Sequence, residues 1–425
     1  MYSTLLNPTR TRLAARLSAI LAALSLAFTL VTVPGCGQKN VLAPELTELS
    51  AAQASRAEAQ ELCNRGGRRE FRSALHLEGV SETGALWQID RPAKWNGDLV
   101  LYLHGYTNPA LPLALPNNGP IRDSLMARGY AVAASSFSSN GYAVEEGMRD
   151  SRALARLFQR RVAHPRHTLL FGQSLGGLIG LLLAQRDPEQ FDGAMLVSGI
   201  VGGSREEVQY IGDIRVLFDT VYPGVLAGDL EHPPVITDLN AQVIQPVAAA
   251  LSKNPQGLGV IQSLARRPLP GANGNEIATS LINVLGFAMQ GGGDLLARTH
   301  GETFFDNADW HYDSAALPPA LVADVNARVA RYTRTAGASA FLDRFGAPSS
   351  ELRQPMLTLH ATRDPIVPAF HEDILTSVAG GPRLIQVRPE GYGHTNFTTA
   401  VLMQNFDQLR AAVAAPERER DLAFN

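Results

Sequence analysis

The sequence predicts an α/β fold: a mostly parallel sheet covered by helices on both faces, with a large, mainly helical insertion over one sheet edge. Three observations carry this prediction. Between residues 70 and 203 short apolar runs alternate with segments of helical periodicity. That alternation breaks at 204–350 and resumes over 351–415. One of the apolar runs, 168–171, opens directly onto a glycine-rich turn, Gly172-Gln173-Ser174-Leu175-Gly176-Gly177.

The elements follow in order. Residues 71–77 and 85–90 are rich in β-favouring residues around Gly79 and Gly84, and predict a hairpin. Residues 98–103 form a short apolar run bounded by Asn96-Gly97 and Gly105, which suits a buried strand. Residues 121–128 predict a helix ended by Gly129, and 130–137 another buried strand. Met148, Leu154, Leu157, Phe158 and Val162 recur at helical spacing, so 144–162 reads as a helix. Then come a strand at 168–171, a helix at 178–185 and a strand at 194–200. Across 204–350 several helical segments, such as 321–332, are separated by Gly and Pro breaks, and we read the stretch as a cap. Beyond it, 356–360 and 384–387 are strands flanking a helix near 370–378, and a helix over 397–413 closes the core.

Composition narrows the function classes. The chain has 425 residues, 45% hydrophobic and 18% charged, which is globular composition. A net charge of −3 leaves no electrostatic footprint for nucleic acid. Two cysteines, Cys36 and Cys63, cannot make a disulfide scaffold and lack zinc-type spacing. No metal is expected: Asp306, Asp309, Asp313 and His311 fit no ordered ligand pattern and read as a solvated cap loop. No cofactor is expected either.

The first 35 residues carry Arg10, Arg12 and Arg16, no acid, and an apolar run from Leu17 to Val33, the pattern of a secretory signal peptide. Val33-Pro34-Gly35-Cys36 resembles the lipobox of bacterial lipoproteins. That resemblance implies cleavage before Cys36 and its lipidation. Gly37 is not the aspartate that retains such proteins in the inner membrane, so the implied location is the outer membrane. Removing 1–35 leaves 34 bases against 40 acids, a net charge of −6. The expected organisation is a signal peptide at 1–35, a tether at 36–69 and a core at 70–203 and 351–415. The cap spans 204–350 and a tail 416–425. Membrane contact is expected through the N-terminal lipid.

The chemistry-bearing residues sit in three loops. In the turn after 168–171 a serine needs a strained backbone, and glycines two residues before and after it, Gly172 and Gly176, relieve the crowding. A serine hydroxyl needs a base within hydrogen-bond reach. His394 occupies the glycine-rich loop Glu390-Gly-Tyr-Gly-His394-Thr-Asn-Phe after the last strand. The histidine in turn needs a carboxylate to fix its tautomer. Asp364 lies just past a strand in Leu357-Thr-Leu-His-Ala-Thr-Arg-Asp364-Pro-Ile-Val-Pro368, whereas its competitor Asp373 falls within a helix. His360 and His371 are the rival bases. Phe304, Phe305, Trp310 and Tyr312 suit either a pocket wall or packing of cap on core, and His104 reads as a loop support.

Ser174, Asp364 and His394, in that order, resemble the catalytic triad of the α/β-hydrolase fold. His104-Gly105-Tyr106 is similar to that family's oxyanion-hole segment, and Asp364 to Pro368 also fits. The resemblance covers about 70–203 and 351–415. It implies a serine hydrolase in which Ser174 attacks, His394 moves the proton, Asp364 orients His394, and the N–H groups of Leu175 and Tyr106 hold the oxyanion. Trp95-Asn-Gly and Thr358-Leu-His-Ala-Thr-Arg-Asp-Pro look similar to secreted bacterial esterases and amidases. The expected substrate is a small-molecule ester. An amide or peptide remains open, as does a non-catalytic binding lipoprotein on the same fold.

Overall fold

The structure, a computed structural model, describes residues 73–415. The expected signal peptide, Cys36, Cys63, the tether and the tail lie outside the described residues.

Eight strands form one sheet in the order β1-β2-β4-β3-β5-β6-β7-β8. β1 (Leu75–Val80) and β2 (Leu86–Arg91) pair antiparallel, and β2 also runs antiparallel to β4 (Ala131–Ser135). From β4 onward the neighbours are parallel: β3 (Leu99–Leu103), β5 (Thr168–Gln173), β6 (Gly193–Val197), β7 (Met356–Leu359) and β8 (Leu384–Val387). With flanking helices on both faces, this is the α/β-hydrolase fold.

Why these runs are strands is visible in β3, where all five residues are buried. Successive side chains point to opposite faces. Leu99, Leu101 and Leu103 therefore join one core cluster, and Val100 and Tyr102 the other. The first cluster is covered by α2 (Val144–Arg161), α3 (Leu175–Arg186) and α10 (Phe370–Ala379). The second is covered by α1 (Gly119–Ala127) and α11 (Thr399–Ala414). An apolar run buried on both faces is what a central parallel strand requires.

Between β6 and β7 the chain leaves the sheet and builds six helices. They are α4 (Ser204–Val221), α5 (Gln245–Lys253, entered through one π-turn at Asn240–Ile244), α6 (Gln256–Leu264), α7 (Gly274–Arg298), α8 (Pro319–Arg328) and α9 (Ala336–Gly346). Their apolar faces form a third core of their own. Several expected boundaries move: the first strand, expected at 71–77, is Leu75–Val80, and the strand expected at 194–200 ends at Val197. The cap helix expected at 321–332 ends at Arg328, because Val329 turns to extended backbone. The helix expected from Leu178 begins at Leu175, immediately after Ser174. Glycines at 176 and 177 weaken helical propensity, which hid the first turn from the sequence pattern. Among the described residues no helix is long and apolar enough to cross a membrane.

A charge cluster fastens the insertion to the core. Arg298 at the end of α7 pairs with Glu146 at 3.0 Å and Asp294 at 3.1 Å, and donates to Ser139 Oγ and the Asn140 carbonyl. Asp294 in turn accepts the Tyr142 N–H at 2.6 Å. Arg298 is only 16% exposed, so its removal leaves two part-buried carboxylates uncompensated. Arg298→Ala should destabilise the protein by about 2–4 kcal/mol. Urea unfolding measures the loss, and limited proteolysis should show cuts at the junction of insertion and core.

Candidate active site

Ser174 sits between β5 and α3 with φ 55° and ψ −122°, a backbone conformation that side chains rarely adopt. Two glycines make the turn possible. A Cβ on Gly172 would lie 2.2 Å from the Gly176 carbonyl oxygen, the crowding expected across the turn. A Cβ on Gly176 would instead lie 2.1 Å from the carbonyl oxygen of Leu103 on β3. Gly176 is thus required by the neighbouring strand rather than by Gly172. The turn is pinned at its centre, because the Ser174 N–H donates to the Val197 carbonyl at the end of β6.

The histidine loop is fastened to the same place. The Thr395 N–H donates to Ser198 Oγ, one residue past β6, at 3.3 Å. Both the serine turn and the His394 loop therefore hang from the carboxyl end of β6. His394 Nδ1 meets Asp364 Oδ2 at 2.8 Å and Oδ1 at 3.0 Å. Asp364 is fully buried, and its Oδ1 accepts the Ile366 and Val367 N–H groups at 2.9 and 3.0 Å. Burial pushes its carboxyl pKa up. The attraction of His394, then of His360, and the Ile366 N–H outweigh that and hold it below the usual carboxylate range. Asp373, the sequence competitor, is on the surface of α10 bonded to Arg388.

His104-Gly105-Tyr106 follows β3 and lies against the serine, since a Cβ on Gly105 would be 3.1 Å from Ser174 Cβ. The Leu175 N–H is the first of α3, among the four that a helix leaves without an internal acceptor. Among the described residues neither it nor the Tyr106 N–H donates a backbone hydrogen bond. Ser174, Leu175 and Tyr106 border one cavity of about 100 Å³. Its far wall belongs to the insertion: Val208 and Ile211 of α4, and Phe287, Gly291 and Leu295 of α7. Phe304 reaches this wall, whereas Phe305 and Tyr312 are buried in the insertion's own core and Trp310 is 44% exposed under Arg266. His104 stacks on Phe137 with ring centroids 4.0 Å apart and bonds to the Gly105 carbonyl, a loop support.

Three residues escaped the sequence reading as site components. Tyr142 and Ser204 share a hydrogen bond at the cavity wall. Glu207, on the first turn of α4, also lines the cavity, with its side chain only 8% exposed. The pair Glu206-Glu207 at a helix start reads as solvated acids favoured by the helix dipole, so no local signal marks the second as buried. His371 Nδ1 accepts the Gly202 N–H at 3.1 Å, which puts the ring proton on Nε2, 2.8 Å from Glu207 Oε2. Burial lowers the His371 pKa to about 3 and raises that of Glu207 to about 8, the latter reinforced by the Asp364 charge. The pair is therefore neutral at pH 7. His360, the other rival base, is fully buried behind Asp364, with both ring nitrogens engaged, one by the Val367 carbonyl and one by Glu372.

A carboxyl whose pKa is raised on folding contributes stability below its unfolded pKa, near pH 4.5, that is lost as pH rises toward 8. Thermal unfolding from pH 5 to 9 should show the parent losing on the order of 1–3 kcal/mol more than Glu207→Gln, which cannot ionise.

A family model described as "Putative esterase" matches residues 152–257, which run from α2 through Ser174 to α6 and make up less than half of the chain. Among solved structures, the chain is similar to a bacterial membrane phospholipase A, at 14% identity and TM-score 0.37, over 95% of this chain and 99% of that one. An esterase from Pyrococcus furiosus is 12% identical with TM-score 0.39, over 80% of this chain and 90% of that one. Feruloyl esterase B from Aspergillus oryzae is 13% identical with TM-score 0.44, over 76% and 73%. A search of curated proteins finds no match.

Proposed function

We propose that this protein hydrolyses carboxylic esters through an acyl-enzyme on Ser174. The observation that carries the reading is the convergence on the end of β6. A serine on a strained turn there borders an apolar cavity, and the His394 loop, hydrogen-bonded to a buried carboxylate, is fastened to the same strand end. The match of residues 152–257 to an esterase family model supports ester over amide.

In this reading Ser174 Oγ attacks the acyl carbon while His394 Nε2 takes its proton. The Leu175 and Tyr106 N–H groups receive the charge that develops on the carbonyl oxygen. Each such donor contributes about 2.7–4 kcal/mol to the barrier reduction. His394 returns the proton to the departing alkoxide, and water then repeats the sequence on the acyl-enzyme. Asp364 holds the Nδ1 proton and stabilises the imidazolium.

The test is a panel of 4-nitrophenyl esters of graded acyl length, with the matching 4-nitroanilides alongside. Ester turnover with little anilide turnover is expected. The reverse order would make the protein an amidase, and turnover of neither would favour a binding protein.

The membrane attachment is proposed on the lipobox-like Val33-Pro34-Gly35-Cys36 alone. One acyl chain binds a membrane only marginally, so stable anchoring implies more than one chain at Cys36. In a Gram-negative host Cys36→Ser should lose palmitate labelling and leave the outer-membrane fraction. Unchanged labelling or fractionation would overturn the anchor.

A further inference from the structure

We propose that Glu207 is a specificity-determining residue: its free carboxyl oxygen recognises a second polar atom, a hydrogen-bond acceptor, in the ester arm that enters the largely apolar cavity. The inference rests on the ester-hydrolase reading and names the substrate class it takes.

The cavity wall is built from Val208, Ile211, Phe287, Leu295 and Phe304, which by themselves would suit a plain hydrocarbon chain. A carboxyl in such a wall costs stability through lost hydration, so its presence there needs a partner. Only half of it has one in the protein. Oε2 accepts the His371 Nε2 proton, and Oε1 makes no hydrogen bond among the described residues. The direction of the His371 bond follows from the ring's other nitrogen, which accepts the Gly202 N–H. With Oε2 already accepting, the acid proton of a neutral Glu207 sits on Oε1. The side chain therefore offers a donor to the cavity that also holds Ser174.

The surroundings keep it neutral. His371 from α10 is itself uncharged, and Glu206 and Arg267 lie near that ring. Asp364 adds negative charge, His394 and His360 add smaller opposing effects, and the Tyr210 hydroxyl is buried on the same helix. Above about pH 8 the carboxyl ionises and the donor is gone. An ester arm with an ether or carbonyl oxygen facing Oε1 satisfies the group. A hydrocarbon isostere leaves it dry and unpaired, which is how buried polar groups reject a substrate.

The test uses the full chain and two series of esters. One series places an ether oxygen at successive positions along the acyl chain of 4-nitrophenyl hexanoate. The other does the same along the alkyl chain of butyl hexanoate. Each is compared with its hydrocarbon parent by kcat/KM at pH 6.5. At least one oxygenated ester should be preferred about tenfold by the parent protein. Glu207→Gln, which keeps an N–H donor, should retain the preference, and Glu207→Leu should abolish it. At pH 9 the preference should fade in the parent and persist in Glu207→Gln. If the parent treats every pair alike, or Glu207→Leu keeps the preference, the inference is overturned while the hydrolase reading stands. If the parent cleaves none of the esters, the hydrolase reading falls and this inference falls with it.

Discussion

Ser174→Ala should lower kcat/KM on a short-chain ester by on the order of 10⁴–10⁶-fold while leaving the fold in place. The loss is large because, in the proposed mechanism, the hydroxyl oxygen is the atom that bonds the substrate, and no neighbouring side chain replaces it at that turn. The fold should survive because both residues carry a Cβ. The strain at φ 55° is then the same in each, and the pinning hydrogen bond to Val197 uses the backbone N–H. Stability should therefore move little, within about 1 kcal/mol of the parent. The measurement pairs chromogenic ester kinetics with thermal unfolding of the same sample. More than a few per cent of residual activity in pure protein would place the nucleophile elsewhere. A Ser174→Cys variant, unreactive toward the ester but alkylated by iodoacetamide, would show that the turn still presents its side chain to the cavity.

Sheet and core elements were legible because burial on both faces writes a plain signal. β8 was read to the residue, and β3 and α2 to within one residue at each end, since each is bounded by turn residues and has a clean apolar period. The serine turn was legible for a different reason. Three glycines around one serine answer to backbone contacts shorter than any Cβ tolerates. The Asp364 and His394 loops could be picked out because each follows a strand at its carboxyl end, where such a sheet gathers its functional groups. The insertion was harder. Its helices bury their apolar faces against one another, so their order in space depends on long-range packing that local periodicity does not encode. Glu207 shows the limit most sharply. The same acidic side chain would be solvated at most helix starts. Here the approach of His371, 164 residues away in sequence, turns it inward. The Arg298 cluster is illegible for the same reason, as Arg298 meets Glu146 across 152 residues.

Asp364→Asn should cost about 10⁴-fold in turnover, nearly as much as removing His394 itself, although it changes the side chain by one atom. The geometry says why. Asp364 Oδ1 accepts two backbone N–H groups, from Ile366 and Val367. An asparagine there keeps its carbonyl oxygen on those two donors and turns its NH₂ toward His394 Nδ1. That nitrogen must then accept a hydrogen bond, so the ring proton moves to Nε2. A ring already protonated at Nε2 cannot take the serine proton. The defect is one of tautomer rather than of shape, and it should appear in kcat with little change in KM. Stability changes as well. The folded carboxyl pKa is lowered, so its contribution is present above the ordinary value, near 3.9, and is lost as pH falls through the lowered one. Asp364→Asn should therefore melt below the parent at pH 7, and the two should converge in acid only as pH falls through that lowered value. His394→Ala should be equally inactive, whereas His360→Ala, which removes a fully buried ring whose two nitrogens are already engaged by Glu372 and the Val367 carbonyl, should retain turnover in whatever fraction folds. An inactive folded His360→Ala beside an active His394→Ala would assign the base to the wrong histidine.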